Sequence, residues 1–123
     1  MTITATERAR SVQSCYFVYL LSSPSGTLYV GLTDNLWKRM GEHKAGTFDG
    51  FTRQYKVNRL MYYETFSDST IAAHRKLQIE KWRREKKTAL FAKSNPQWRD
   101  LTSEISQLIG FHCPSGRGIA QKT

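Results

Sequence analysis

The sequence is poor in the features that mark several common protein classes. Among its 123 residues are only two cysteines, Cys15 and Cys113. With so few cysteines and no metal-ligand spacing, reduced intracellular thiols are favoured over a disulfide framework. No apolar run approaches the roughly 18 residues that cross a bilayer, and residues 1–10 lack the apolar core of a signal peptide. The sequence therefore predicts a cytoplasmic protein and argues against a membrane protein.

Acidic residues are also scarce. The chain has 10 Asp and Glu against 19 Lys and Arg, which gives a formal net charge of +9. Residues 74–93 alone carry eight Lys or Arg and two Glu, or +6. This clustering favours contact with a phosphate backbone, and a solvated helix face is the simpler alternative. A membrane-surface helix is disfavoured, because the segment has few large apolar residues for its opposite face.

The pattern of apolar residues predicts one small domain. Residues 1–14 form a polar N-terminal tail, residues 15–101 the domain, and residues 102–123 a C-terminal helix and tail. Two β-rich runs joined by Ser-Pro-Ser-Gly predict a hairpin. The predicted strands are 16–21, 27–32 and 59–65, and the predicted helices are 34–46, 70–84, 85–93 and 98–109, with a loop at 47–56. This order predicts an α+β fold in which helices flank a three-stranded antiparallel sheet.

Four residues in the first half of the chain suit phosphodiester chemistry. Tyr19 and Tyr29 lie in the middle of the two hairpin strands. Arg39 and His43 follow at a spacing of four, which places them on one face of the next helix. Two phenols, a guanidinium and an imidazole in one pocket would combine a proton acceptor with a fixed positive charge. The simpler alternative is that the tyrosines are ordinary sheet residues and the Arg/His pair is solvated.

The same residues resemble a known family. Phe17-Val18-Tyr19, Tyr29-Val30-Gly31, Arg39 and His43 closely resemble the GIY-YIG nuclease signature, with Phe17-Val18 replacing glycine and isoleucine at two structural positions. Three later stretches are similar to its small stand-alone bacterial subfamily. They are Gly50-Phe51-Thr52, Arg59-Leu60-Met61-Tyr62-Tyr63-Glu64 and Asn95-Pro96-Gln97-Trp98-Arg99. The resemblance extends from about Tyr16 to Leu101.

This resemblance implies a metal-dependent endonuclease that hydrolyses DNA. Tyr19 would be the general base or its partner in activating water, with a pKa lowered by Arg39 and a bound Mg²⁺. Tyr29 would hydrogen-bond the attacking water or a phosphate oxygen. Arg39 would stabilise the pentacovalent phosphate, and His43 would accept the Tyr19 proton or orient the phenol. Gly31 would let the backbone bend or approach closely.

The resemblance also suggests further site residues. Asn95 matches the late asparagine of the family, which helps to hold the site, although an Asn-Pro helix stop explains it equally well. Aromatic and cationic residues after the first helix are candidates for contact with unpaired bases and phosphates. The nucleic-acid-binding candidates are Lys38, Phe51, Thr52, Arg53, Tyr55, Arg75, Lys81, Arg83 and Arg84.

The expected metal ligand is where the chain departs from the family. Counting back from Trp82, the position of the family's glutamate is Lys76. An ammonium has no lone pair and repels Mg²⁺ or Mn²⁺, the ions expected from the family. Three explanations are open: a deliberate inactivating change, a natural pseudonuclease, or ligation by Glu80 instead. Glu80 ranks last, because one helical turn moves the carboxylate by about 6 Å.

Three functions follow from this sequence. The first is an endonuclease-type domain acting on single-stranded, duplex or structured DNA, with hydrolysis impaired by Lys76. The second is a DNA-binding pseudonuclease. The third, an RNA- or ribosome-associated basic protein, explains the charge and leaves the spacing of Tyr19, Tyr29, Arg39 and His43 unexplained. The sequence predicts no oligomeric state.

Overall fold

Three short strands form one antiparallel sheet. The computed structural model describes residues 15–46 and 50–108, and in these ranges the strand order is β2-β1-β3. The strands are β1 (Tyr16–Ser22), β2 (Leu28–Thr33) and β3 (Arg59–Phe66). The helices are α1 (Leu36–Ala45), α2 (Phe51–Gln54), α3 (Ser69–Glu80), α4 (Arg84–Ala92) and a 3₁₀ helix (Thr102–Leu108). The predicted α+β fold with a three-stranded sheet is confirmed. Residues 1–14 and Cys113 lie outside the described ranges.

The alternation of side chains along β1 divides the core into two layers. The first layer, here called the α1 face, is covered by α1 and the 3₁₀ helix. The second, the α3 face, is covered by α3 and α4. Buried residues of the α1 face are Cys15, Phe17, Tyr19, Leu21, Leu36, Met40, Val57, Leu60 and Ile105. Buried residues of the α3 face are Val18, Leu20, Val30, Met61, Tyr62, Ala72, Ile79 and Phe91.

Helix α1 has the ends that its sequence predicts. The side chain of Asn35 accepts a hydrogen bond from the backbone N–H of Lys38 at 3.1 Å, which satisfies one of the first helical donors. Gly46 ends the helix in a left-handed conformation at φ 73°. Leu36 and Met40 are buried on the side of the helix that also carries His43. Burial of this apolar side therefore turns His43 toward the sheet.

The junction of α3 and α4 differs from the sequence prediction. Helix α3 ends at Glu80, four residues before the predicted end, and α4 begins at Arg84. Arg83 has an extended backbone with φ −73° and ψ 163°, which interrupts the helix without glycine or proline. Trp82 remains packed against the α3 face. The guanidinium of Arg75 lies 5.3 Å and the ammonium of Lys86 4.5 Å from its ring centroid, so cation–π contacts support the turn.

The C-terminal part of the domain also departs from prediction. The helix predicted at 98–109 begins only at Thr102, as the 3₁₀ helix, and before it the chain runs beside β3, where the backbone N–H of Leu101 donates to the carbonyl of Leu60 at 2.9 Å. Asp100 accepts hydrogen bonds from the backbone of Leu60 and Thr102 and pairs with Lys44 of α1. This carboxylate ties the end of α1 to the β3 edge. The predicted loop at 47–56 likewise contains the short helix α2.

None of the helices in the described part of the chain is both long enough and apolar enough to cross a membrane.

Candidate active site

The two hairpin tyrosines lie on the same face of the sheet. Tyr19 of β1 is opposite Gly31 of β2, and Tyr29 is opposite Leu21. Residues directly opposite each other share a face, so both phenols project toward α1. Arg39 and His43, one helical turn apart on α1, complete the cluster. The structure thus brings together the four residues that the sequence predicted.

Tyr19 and His43 form the buried centre of this cluster. The Tyr19 hydroxyl lies 3.1 Å from Nε2 of His43, and the two residues are only 1% and 5% exposed. The ring of Tyr29 packs against both, with centroids 6.4 Å from Tyr19 and 5.8 Å from His43. Tyr29 and Arg39 are half-buried. A ligand arriving from solvent therefore meets Tyr29 and Arg39 before Tyr19.

Gly31 is required by the position of the Tyr19 side chain. A Cβ at residue 31 would lie 2.3 Å from Cζ and 2.4 Å from the hydroxyl oxygen of Tyr19, far inside van der Waals contact. The sequence interpretation was that this glycine lets the backbone bend or approach closely. The structure has the close approach: the glycine makes room for the Tyr19 phenol on the neighbouring strand.

Burial controls the protonation of both central groups. It raises the pKa of Tyr19 above its usual 10.0, Tyr29 adds to this effect, and the charge and hydrogen bond of Arg39 offset only part of it. Burial, followed by the Arg39 charge, lowers the pKa of His43 to about 4. At neutral pH the pair is a neutral phenol and a neutral imidazole. Arg39 lowers the pKa of Tyr19 as expected, but burial outweighs this effect and the net shift is upward.

A neutral His43 gives the pair a defined role. An imidazole with its proton on Nδ1 accepts at Nε2 the hydrogen bond that the Tyr19 hydroxyl donates. Because the phenol stays protonated, the imidazole is the stronger proton acceptor of the two at neutral pH. Tyr19 orients that acceptor.

The low pKa of His43 predicts a pH-dependent stability. The unfolded chain binds a proton near the usual pKa of 6.5 and the folded protein only near 4, so stability falls as pH drops through this window. Between pH 7 and 5 we expect the parent to lose about 1–2 kcal/mol more unfolding free energy than His43→Gln, which keeps an acceptor for Tyr19. Urea unfolding at both pH values measures this difference. An equal loss in the two proteins, or an NMR titration of His43 near 6.5, would contradict it.

One residue of the cluster was missed by sequence reasoning. Glu42 lies one helical turn after Arg39, and its Oε1 is 3.2 Å from Nε of that residue. Lys38 approaches its other oxygen at 3.6 Å. The charge of Glu42 also acts on Tyr19 and His43. The i,i+3 and i,i+4 spacing to two cations on one helix is the sequence signal that could have revealed it.

The predicted metal position does not fit a cation. The ammonium of Lys76 lies 2.9 Å from Oε2 of Glu80, so the alternative ligand is itself paired with the lysine. Helix α3 packs its buried Ala72 and Ile79 on the α3 face, across the sheet from Tyr19. In the part of the chain that is described, no group of three His, Cys, Asp or Glu residues is arranged to hold a metal ion. These donors do not suit Mg²⁺ or Mn²⁺, which need several oxygen ligands.

Asn95 is used to build a turn. Its Oδ1 accepts from the backbone N–H of Arg99 at 2.9 Å, and its Nδ2 donates to the Arg99 carbonyl at 2.8 Å. A longer contact of 3.5 Å reaches the carbonyl of Met61 in β3. The residue is 2% exposed. These hydrogen bonds close a turn over residues 95–99 and attach it to the sheet, and a role of Asn95 in holding the site stays a prediction.

The nucleic-acid-binding candidates fall into three groups. Arg75 and Arg84 are already engaged within the domain: Arg75 pairs with the buried Glu64, and Arg84 donates to the Gly26 carbonyl at 2.6 Å. The side chains of Phe51 and Thr52 lie outside the described part. The remaining candidates are exposed, and they are Lys38, Arg53, Tyr55, Lys81 and Arg83.

Comparison with known proteins gives the site a family context. The model of the GIY-YIG catalytic domain matches residues 15–89, more than half of the chain. A UPF0213 protein of Natronomonas pharaonis is 36% identical over 77 residues, which cover 63% of this chain and 91% of the relative. A UPF0213 protein of Clostridium perfringens is 31% identical over 90 residues, which cover 73% of this chain and 97% of the relative.

A solved structure is also similar. It is the solution NMR structure of a UPF0213 protein from Bacillus halodurans, which is 24% identical, with a TM-score of 0.46. The alignment covers 72% of this chain and 95% of that structure.

Proposed function

Because the chain belongs to the GIY-YIG catalytic-domain family, we propose that it is an endonuclease-type domain that binds DNA and hydrolyses it poorly. The supporting observation is the contact of 3.1 Å between the Tyr19 hydroxyl and Nε2 of His43, beside Arg39 and Tyr29. The poor hydrolysis follows from Lys76, which replaces the carboxylate that the family supplies at its metal site. The substrate is the phosphodiester backbone of single-stranded, duplex or structured DNA.

In this proposal each member of the cluster has a separate task. Arg39, half-buried, binds the scissile phosphate and stabilises the charge that develops on it, because a guanidinium donates two parallel hydrogen bonds to phosphate oxygens. The Tyr29 hydroxyl donates to a phosphate oxygen or orients water. The attacking water gives its proton to the Tyr19 oxygen while the Tyr19 hydroxyl proton passes to Nε2 of His43, which is neutral at pH 7. Tyr19 also holds the imidazole in position.

A second function, DNA binding without any hydrolysis, is favoured by one specific observation. The Lys76 ammonium lies 2.9 Å from Oε2 of Glu80, and the resemblance assigns position 76 to the family's metal-binding carboxylate. A positive charge favours phosphate binding and opposes cation binding. Exposed Arg53 and Tyr55 are separate candidates for contact with phosphates and unpaired bases.

The proposal predicts a protein that binds DNA and leaves it largely uncut. Fluorescence anisotropy with labelled single-stranded, duplex and forked DNA should show an affinity that falls about tenfold or more between 50 and 200 mM salt. Arg39→Gln should weaken DNA binding. The control is Arg99→Gln, which also removes an arginine paired with a glutamate and should change the affinity by less than about twofold. Supercoiled plasmid with Mg²⁺ should remain almost un-nicked.

Two results would contradict this function. Absent or salt-insensitive binding to all three DNA forms would exclude a phosphate-binding surface. Equal weakening by Arg39→Gln and Arg99→Gln would show that the Tyr19–His43 cluster is not where DNA binds. Tighter binding to an RNA of the same sequence would favour the RNA-associated alternative.

A further inference from the structure

A carboxylate lies where a phosphate would be expected in the candidate site. Glu42 contacts two cations of α1 at once, with Oε1 3.2 Å from Nε of Arg39 and Oε2 3.6 Å from Nζ of Lys38. Both cations are candidates for phosphate contact. The Glu42 side chain is 34% exposed, so it lies at the mouth of the cluster, outside the buried Tyr19–His43 pair.

This arrangement resembles the way a phosphate would be held. Arg and Lys bind phosphate oxygens through the same N–H donors that bind carboxylate oxygens. The Nε–H of Arg39 that points to Glu42 is one of the two parallel donors available for a bidentate phosphate contact. Glu42 and a DNA phosphate therefore compete for this guanidinium.

We propose that Glu42 is an autoinhibitory residue, which holds Arg39 and Lys38 in the absence of DNA and must release them when a phosphate binds. The inference rests on the proposed function, because it concerns the same site. All three residues lie on α1 at spacings of three and four, so release needs only side-chain rotation. The fold does not have to open.

The exposure of the Arg39–Glu42 ion pair determines how strongly Glu42 weakens DNA binding. Arg39 and Glu42 are about one-third exposed, so water and salt screen their attraction and a phosphate displaces the carboxylate at modest cost. The displaced carboxylate stays close to the bound phosphate and repels it. Removing the Glu42 charge should therefore strengthen DNA binding by about three- to tenfold at 0.1 M salt.

The test compares two substitutions with the same change in charge. Glu42→Gln should bind a labelled duplex about three- to tenfold more tightly than the parent. The control is Glu104→Gln, which breaks the 3.0 Å contact between Glu104 and Arg99. This variant should tighten DNA binding by less than about twofold. In an Arg39→Gln background, Glu42→Gln should lose most of its effect, because Arg39 is the more closely held of the two cations and only Lys38 remains. Thermal unfolding of each variant confirms that it is folded.

The outcomes separate this inference from the function on which it rests. A parent that binds DNA, with Glu42→Gln no tighter than Glu104→Gln, would overturn the inference alone. An equal gain with and without Arg39 would also overturn it, because the effect would then be one of net charge. Binding by neither the parent nor Glu42→Gln would overturn both proposals. Binding by Glu42→Gln alone would support the inference strongly.

Discussion

Lys76→Glu is expected to turn a DNA-binding protein into one that nicks plasmid DNA with Mg²⁺ or Mn²⁺. The substitution breaks the contact of 2.9 Å between Lys76 and Glu80 and places two carboxylates one turn apart on α3. Carboxylate oxygens are the ligands that these ions prefer. Because a catalytic metal supplies several kcal/mol of transition-state stabilisation, the rate should rise at least about a hundredfold.

Four controls define the cause of such a gain. Lys76→Gln removes the positive charge without adding a carboxylate, and should remain nearly inactive. Lys93→Glu makes the same change in net charge at an exposed position of the basic segment, and should not nick DNA. A chelator should abolish the activity of Lys76→Glu, and so should an added Arg39→Gln. If Lys76→Glu is folded and as inert as the parent, the assignment of position 76 is wrong, and the packing of α3 across the sheet from Tyr19 would explain why.

The sequence predicted the parts of this fold that depend on local patterns. The strand alternation around Tyr19 and Tyr29 and the caps Asn35 and Gly46 are local signals, and the structure has them close to the predicted positions. Arg39 and His43 were placed on one helix face by spacing alone. Gathering these four side chains at one place needed only a correct hairpin and one helix packed on it.

Features that depend on distant contacts were not accessible from sequence. The helix break at Arg83 has no glycine or proline to mark it, and it is supported by contacts of Trp82 with Arg75 and Lys86. The raised pKa of Tyr19 comes mainly from burial, a property of the assembled core. Local charge counting also assigned Arg75 to phosphate, although the fold pairs it with Glu64, eleven residues away.

The pairing of Glu64 with Arg75 is the interaction whose loss should cost the most stability. Glu64 is 1% exposed on β3, and its two oxygens accept from Nε and Nη2 of Arg75 at 2.7 and 2.8 Å. The Tyr62 hydroxyl donates to the same carboxylate at 2.7 Å. Burial, together with this hydrogen bond, raises the pKa of Tyr62, so the phenol remains a donor. This network attaches α3 to the sheet.

We expect Arg75→Met to lower the free energy of unfolding by about 3–5 kcal/mol, because it leaves a buried carboxylate without its cation. Adding Glu64→Gln should recover part of that loss, since the neutral amide oxygen still accepts from Tyr62. Arg99→Met, which breaks the exposed pair with Glu104, should cost less than about 1 kcal/mol. Urea unfolding of the four proteins measures these values. If the double variant is less stable than Arg75→Met alone, the cost comes from lost packing of the Arg75 stem on Trp82, and the buried-charge explanation is wrong.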